Sequence, residues 1–174
     1  ASGVVASSFR VAREILSRLE DPKTGEILPQ ELQVKIPGQR MEQAQKAADT
    51  LKENVYKKFP FAGNTQPMND SHVELILNRT WRAALSVTGA EGLPEISSAG
   101  NVLRPQTSLK LSLRLPPTVD AKKAGIYLKD FLEQDPPYNA NVEYKLDDAA
   151  SGWNAPEVSP ALEELIQEAS KTYF

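Results

Sequence analysis

Leucine and polar residues alternate strictly along residues 109–115. Leu109, Leu111, Leu113 and Leu115 fall on one side of the chain, and Lys110, Ser112 and Arg114 fall on the other. Alternation with a period of two is typical of a β-strand that has one buried and one solvent-facing side. Pro116 and Pro117 follow at once, and proline lacks the backbone N–H that a strand ladder needs. The pattern therefore predicts a strand that ends at a rigid turn.

Two further segments alternate in the same way, residues 81–87 and residues 141–146. Each is bounded by glycine, proline or adjacent acidic residues, which favour turns and strand ends. Residues 89–100 contain three glycines and a proline, so we predict a loop there. We also expect a short edge strand near Asn101. The predicted sheet thus has three main strands and a short edge strand.

Apolar residues recur at helical spacing in the remaining segments. The predicted helices cover residues 4–19, 39–58, 70–77, 120–134 and 159–174. The first has Ser7 or Ser8 as its N-cap, and the last begins with a Ser-Pro pair in which proline occupies the first helical position. Helices and alternating strands in this order predict an α+β fold, a two-layer sandwich with helices on one face of an antiparallel sheet.

The composition is that of an ordinary soluble domain. The chain has 174 residues, of which 40% are hydrophobic and 25% charged, and its net charge is −3. A net negative charge argues against a nucleic-acid partner, which usually requires a basic surface. No apolar run is long enough to span a membrane, so we expect no membrane partner. The sequence contains no cysteine, which leaves the cytoplasm and the periplasm both open as compartments.

Candidate catalytic chemistry is sparse. His72 is the only histidine, and a zinc site needs at least three converging protein ligands. Asp147 and Asp148 are adjacent, so in a strand they would point to opposite faces. We expect no catalytic residue, no metal site and no cofactor in this chain. Arg114 is different, because a guanidinium held beside a rigid turn can bind a carboxylate or phosphate through two parallel hydrogen bonds.

Several stretches together resemble one family. They are Ser-Gly-Val at 2–4, Val-Thr-Gly-Ala-Glu-Gly at 87–92, Gly-Asn-Val-Leu-Arg-Pro at 100–105 and Ser-Leu-Arg-Leu-Pro-Pro-Thr at 112–118. They resemble the lid or dimerisation domain of the di-zinc exopeptidases of metallopeptidase family M20, which include carnosinase, carboxypeptidase G, succinyl-diaminopimelate desuccinylase and aminoacylase. The resemblance extends over nearly the whole chain.

The resemblance implies a ferredoxin-like antiparallel sheet of βαββαβ topology. Its first strand would precede Ser2 and is missing from this sequence. Residues 1–158 would form the lid, with a helical insertion at about residues 28–78, after the first helix. Residues 159–174 would form a helix that returns toward a catalytic domain absent from this chain.

The implied function is substrate recognition and dimerisation in a zinc-dependent dipeptidase or aminoacyl-amino-acid hydrolase. Two zinc ions would belong to the parent catalytic domain, so this chain alone would be inactive. The implied partners are a second copy of the chain, that catalytic domain, and a peptide or acyl-amino-acid substrate. By the same resemblance Arg114 would bind the substrate carboxylate and Asn101 would hydrogen-bond the substrate backbone. Ala1 stands where the family has a histidine that stabilises the oxyanion, so that role is missing here.

The residues alone leave a second interpretation open. An α+β regulatory module that binds a small amino acid and dimerises through a sheet edge would show the same strand and helix pattern. Asn101, without the resemblance, is typical of a turn residue that tolerates left-handed backbone. Zinc-ligand motifs on both sides in the same reading frame would support the lid, whereas flanking stop codons would support the module.

Overall fold

The computed structural model describes residues 1–173, in which helices pack against one face of a two-stranded sheet. The elements in chain order are α1 (Ser8–Leu19), α2 (Gly38–Leu51), α3 (His72–Thr80), β1 (Ala84–Glu91), β2 (Ser108–Arg114), α4 (Ala121–Glu133) and α5 (Pro160–Tyr173). β1 and β2 are antiparallel, with Ala84 opposite Arg114 and Glu91 opposite Ser108. The α+β class predicted from the sequence is confirmed.

The main core lies between α1, α4 and the inner face of the sheet. Its buried members are Val11, Ile15, Leu19, Ile27, Leu32, Ala83, Ala124, Leu128 and Leu132. Half-buried leucines of both strands pack against this cluster, among them Leu85 and Leu113. Burial of such side chains stabilises the fold by roughly 25 cal/mol per Å² of apolar surface. The alternating polar residues of β2 are left on the exposed face of the sheet.

Both core helices are capped as their sequences indicate. The Ser7 hydroxyl accepts a hydrogen bond from the Arg10 N–H at the start of α1. The Asp120 carboxylate accepts from the N–H groups of Lys122 and Lys123 at the start of α4. These bonds satisfy backbone donors that have no partner within the helix.

α2 and α3 form the helical insertion predicted after the first helix, and they pack against each other. The single helix predicted over residues 39–58 is shorter in the structure, because α2 ends at Leu51. Lys52 has a φ of 49°, a left-handed conformation that a continuing α-helix does not allow. A 3₁₀ turn, Lys52–Val55, follows it. α3 begins at His72 and ends at Thr80, close to its predicted position.

The strand predicted over residues 141–146 is wrong, and so is the edge strand near Asn101. Residues 141–146 are extended, but they pair with no strand within residues 1–173. Their backbone is held instead by a side chain, since the Tyr144 N–H donates to the Glu133 Oε1 at 2.8 Å. Alternation alone therefore does not make this segment a strand, because a strand also needs a neighbouring backbone to pair with.

Residues 144–151 run back along α4. Leu146 lies against Gly125, and the Ser151 hydroxyl accepts from the Ala121 N–H at 3.1 Å. α5 stands apart from this packing, because every one of its residues is exposed. None of the helices within residues 1–173 is long and apolar enough to cross a membrane.

Candidate functional site

Arg114 is the last residue of β2 and lies on the exposed face of the sheet. The turn that follows it is rigid, because Pro116 is fully buried and fixes the end of the strand. The Arg114 side chain has neither an ion pair nor a hydrogen bond with any residue that the structure describes. A guanidinium in this setting keeps all five donors available for a planar anion such as a carboxylate.

Lys110, the other cation on the same face of β2, is already paired. Its ammonium donates to the Asp147 carboxylate at 2.9 Å. The hydrogen bond from Lys110 lowers the pKa of Asp147, and the same bond raises the pKa of Lys110. Both side chains are more than half exposed, so the pair contributes little to stability. Of the two cations of β2, Lys110 thus has an acidic partner, whereas Arg114 has none among the described residues.

Asn101 lies in the loop that joins β1 to β2, and it is exposed. This loop leaves the sheet at Gly92 and rejoins it at Ser108, the end of the hairpin opposite Arg114. β2 from Ser108 to Arg114 is about 20 Å long at the usual rise of about 3.4 Å per residue. The structure therefore does not bring the two predicted site residues to the same end of the sheet within one chain.

A polar cleft of about 290 Å³ lies at the base of that loop. Its lining residues are Glu91, Gly92, Arg104, Pro105, Gln106 and Ser108. The Arg104 Nε donates to the Gly92 carbonyl at 3.0 Å across the cleft. A larger open cleft of about 370 Å³ contains none of the predicted site residues and is lined by Glu26, Gln30, Gln33, Val34 and Lys35.

Sequence reasoning assigned no role to Arg104. The sequence did contain a feature that points to Arg104, because this residue lies within the Gly-Asn-Val-Leu-Arg-Pro motif, three residues after Asn101. Its contact is with a residue twelve positions earlier, which no local periodicity indicates.

His72 is the first residue of α3, and its ring lies 5.9 Å from the Tyr56 ring, centroid to centroid. Over residues 1–173, no three histidine, aspartate or glutamate side chains come close enough together to hold a metal ion. The donor set that zinc requires is thus not found in the part of the chain that the structure describes.

The sequence matches no family model, and no curated protein is significantly similar to it. Its fold, in contrast, matches solved peptidase structures at 17–19% identity over 99% of this chain. They include the dipeptidase Dug1p from Saccharomyces cerevisiae (19% identity, TM-score 0.61) and human carnosine dipeptidase 1 (18% identity, TM-score 0.61). The M20 family metallo-carboxypeptidase Sso-CP2 from Sulfolobus solfataricus is another (17% identity, TM-score 0.60).

The match covers only part of each peptidase. This chain spans 37% of Dug1p and of carnosine dipeptidase 1, and 44% of Sso-CP2. The chain therefore has the fold of one portion of these enzymes, as the resemblance noted in the sequence implies. At this level of identity the similarity establishes the fold.

Proposed function

We propose that this chain is the substrate-recognition and dimerisation domain, the lid, of a zinc-dependent dipeptidase or aminoacyl-amino-acid hydrolase. The observation that carries the proposal is the extent of the match. Peptidases from three organisms align with 99% of this chain while 56–63% of their own length lies outside the match. That relation is expected of one domain of a larger enzyme. The parent activity, its substrate and its partners are parts of the proposal.

In this proposal Arg114 binds the terminal carboxylate of the substrate through two parallel charge-assisted hydrogen bonds. Three features support the role: the side chain is exposed, it has no partner among the described residues, and the Pro116 turn fixes its backbone. A hydrogen bond to a charged group contributes about 1.5–3 kcal/mol, enough to change affinity by one to two orders of magnitude.

Asn101 hydrogen-bonds the substrate backbone in the same proposal. Since Arg114 and Asn101 lie at opposite ends of one hairpin, a single chain does not present both to one small substrate. Two copies related by a twofold axis supply them from different chains, Arg114 from one and Asn101 from the other. The free outer edge of β1, which pairs only with β2 among the described residues, is a surface through which two copies can associate.

Two zinc ions complete the proposed parent enzyme, where they would activate water for hydrolysis of an amide bond. The described residues of this chain do not fit a zinc site, because their acidic side chains and single histidine do not converge. The metal would be held by another domain of the parent. This chain contributes binding and orientation of the substrate.

The test begins with the coding sequence on both sides of this segment. In-frame zinc-ligand motifs upstream and downstream support the proposal, and stop codons on both sides contradict it. In the full polypeptide, Arg114→Ala is then expected to raise KM for a dipeptide by about 10- to 100-fold. Arg13→Ala, an exposed arginine of α1, is the matched control and should leave KM unchanged. An unaltered KM in Arg114→Ala would refute the role of Arg114.

A further inference from the structure

Arg104 joins the two ends of the loop that carries Asn101. Its Nε donates to the carbonyl of Gly92, the residue directly after β1, at 3.0 Å. The side chain thus closes the loop three residues after Asn101 and four residues before β2 begins. We infer that Arg104 is a positioning residue, which fixes the place of Asn101 relative to the sheet.

The backbone of Arg104 is fixed as well. The Ser8 hydroxyl, at the first residue of α1, donates to the Arg104 carbonyl at 3.0 Å. The same hydroxyl lies 2.7 Å from the Thr107 hydroxyl. Arg104 is therefore bound through its carbonyl to the start of α1 and through its guanidinium to the end of β1. Because its carbonyl and its guanidinium are both bound, Arg104 fixes the position of the neighbouring loop residues relative to α1 and β1.

Gly92 allows the two sides of the loop base to approach closely. Its φ is +87°, and a Cβ built on it would lie 2.2 Å from the Gln106 carbonyl oxygen. Any other residue would push the strands apart at this point. The Gly92 carbonyl is therefore held close to the returning chain, which places it within reach of Arg104.

The loop beyond this point has few anchors of its own. Residues 93–102 are all exposed, and the Ile96 side chain retains 96% of its accessible surface. The bonds found there are short-range ones around the 3₁₀ turn Ile96–Ser98, such as Ser98 N–H to the Glu95 carbonyl at 3.0 Å. Segments with exposed hydrogen bonds and little buried surface are the first to move. The order of Asn101 thus depends on the closure at Arg104.

This inference rests on the proposed role of Asn101, so its test has a readout that does not depend on any ligand. In ¹⁵N relaxation of the 174-residue chain, Arg104→Ala should lower the order parameters of residues 101–103, next to the closure, from their wild-type values to below about 0.6. Ser8→Ala removes the hydroxyl bond to the Arg104 carbonyl but keeps the bond from the Ser8 N–H at 3.4 Å, so it should lower the same values by a smaller amount. Arg13→Ala is the control, with no change in the loop. Unchanged order parameters in Arg104→Ala would overturn the inference.

The functional readout is a double-mutant cycle in the full polypeptide. Asn101→Ala should raise KM for a dipeptide about 10-fold when Arg104 is present, and less than about 2-fold in an Arg104→Ala background. Full additivity of the two substitutions would show that Arg104 does not act through Asn101. If Asn101→Ala alone leaves KM unchanged, the proposed role of Asn101 fails, and the relaxation experiment still decides whether Arg104 orders the loop.

Discussion

Arg18 of α1 and Phe131 of α4 make two contacts at once. The Arg18 guanidinium lies 5.3 Å from the centroid of the Phe131 ring and donates to the Phe131 carbonyl at 3.0 Å. A second nitrogen of the same group donates to the Gln134 carbonyl at 2.9 Å. The last carbonyls of a helix have no partner within it, so a cation there satisfies them and complements the helix dipole. Arg18 thus fastens the C-terminus of α4 to α1.

Replacement of Arg18 should weaken this attachment. We expect Arg18→Ala to lower the free energy of unfolding by about 1–2 kcal/mol, since it removes hydrogen bonds to three carbonyls and the contact with the ring. Urea unfolding followed by circular dichroism measures the change. Arg13→Ala, on the exposed side of the same helix, should alter it by less than about 0.5 kcal/mol. Equal losses in the two variants would show that the contacts of Arg18 contribute nothing specific.

The Asp120 cap predicts a pH dependence of stability. Backbone hydrogen bonds from Lys123 and Lys122 lower the pKa of Asp120 below its usual value of 3.8. A lowered pKa in the folded state means that the cap stabilises the protein above the unfolded-state pKa and that this contribution is lost as the pH falls through the folded-state pKa.

Thermal unfolding measured from pH 7 to pH 2 tests this cap. The asparagine of Asp120→Asn still accepts a hydrogen bond but does not titrate. Asp120→Asn should therefore show a shallower decline in melting temperature below about pH 4 than the wild type. Parallel curves for the two proteins would be evidence against a contribution from Asp120. The other carboxylates are common to both proteins and cancel in the comparison.

Gly92 and Gly100 lie in the same loop and provide a matched pair. Gly92→Ala places a methyl group against the Gln106 carbonyl in left-handed backbone, so we expect a loss of about 2–4 kcal/mol in the free energy of unfolding. At Gly100 a Cβ would meet nothing within 4 Å, and Gly100→Ala should change stability by less than about 0.5 kcal/mol. Chemical denaturation distinguishes the two. A tolerated Gly92→Ala would mean that the loop base is looser than the structure indicates.

Amide exchange should separate the true strands from the extended segment at residues 141–148. The N–H groups that join β1 and β2 are in ladder hydrogen bonds, whereas the Tyr144 N–H has only the side-chain acceptor of Glu133. We expect residues 142–146 to exchange at least about 10-fold faster than the ladder-bonded residues of β1 and β2. Mass spectrometry after deuterium labelling measures this at peptide resolution. Protection equal to that of the two strands would imply backbone partners that the structure does not show.

The sequence predicted those helices and strands whose pattern lies within their own residues. The alternation at residues 109–115 identified β2 within one residue at each end, because one face of that strand packs on the core and the other is exposed. The same alternation at residues 141–146 failed. Alternation indicates which side chains are buried, whereas a strand also needs a neighbouring backbone, and a local pattern does not reveal whether one is present.

For the candidate site, too, the sequence indicated what depends on local pattern and not what depends on contacts between distant residues. Arg114 was identified from its place at the end of an alternating run beside two prolines, and the structure places it at the end of β2. The separation of Arg114 and Asn101 followed only from the pairing register, which the sequence did not reveal. The inferred role of Arg104 depends on a contact across the loop and on the left-handed backbone of Gly92. Neither feature produces a periodic pattern in the sequence.

The exposure of α5 has a practical consequence for the isolated polypeptide. Leu162, Leu165 and Ile166 share one side of this helix, and each retains about half or more of its accessible surface. A helix of 14 residues without tertiary packing is marginal in water, so it unfolds often enough for a protease to bind the open chain. In limited digestion the C-terminal end, from about residue 158, should be trimmed first, while the core between α1 and α4 resists cleavage. In a crystallisation trial, the trimmed protein would be the better starting material.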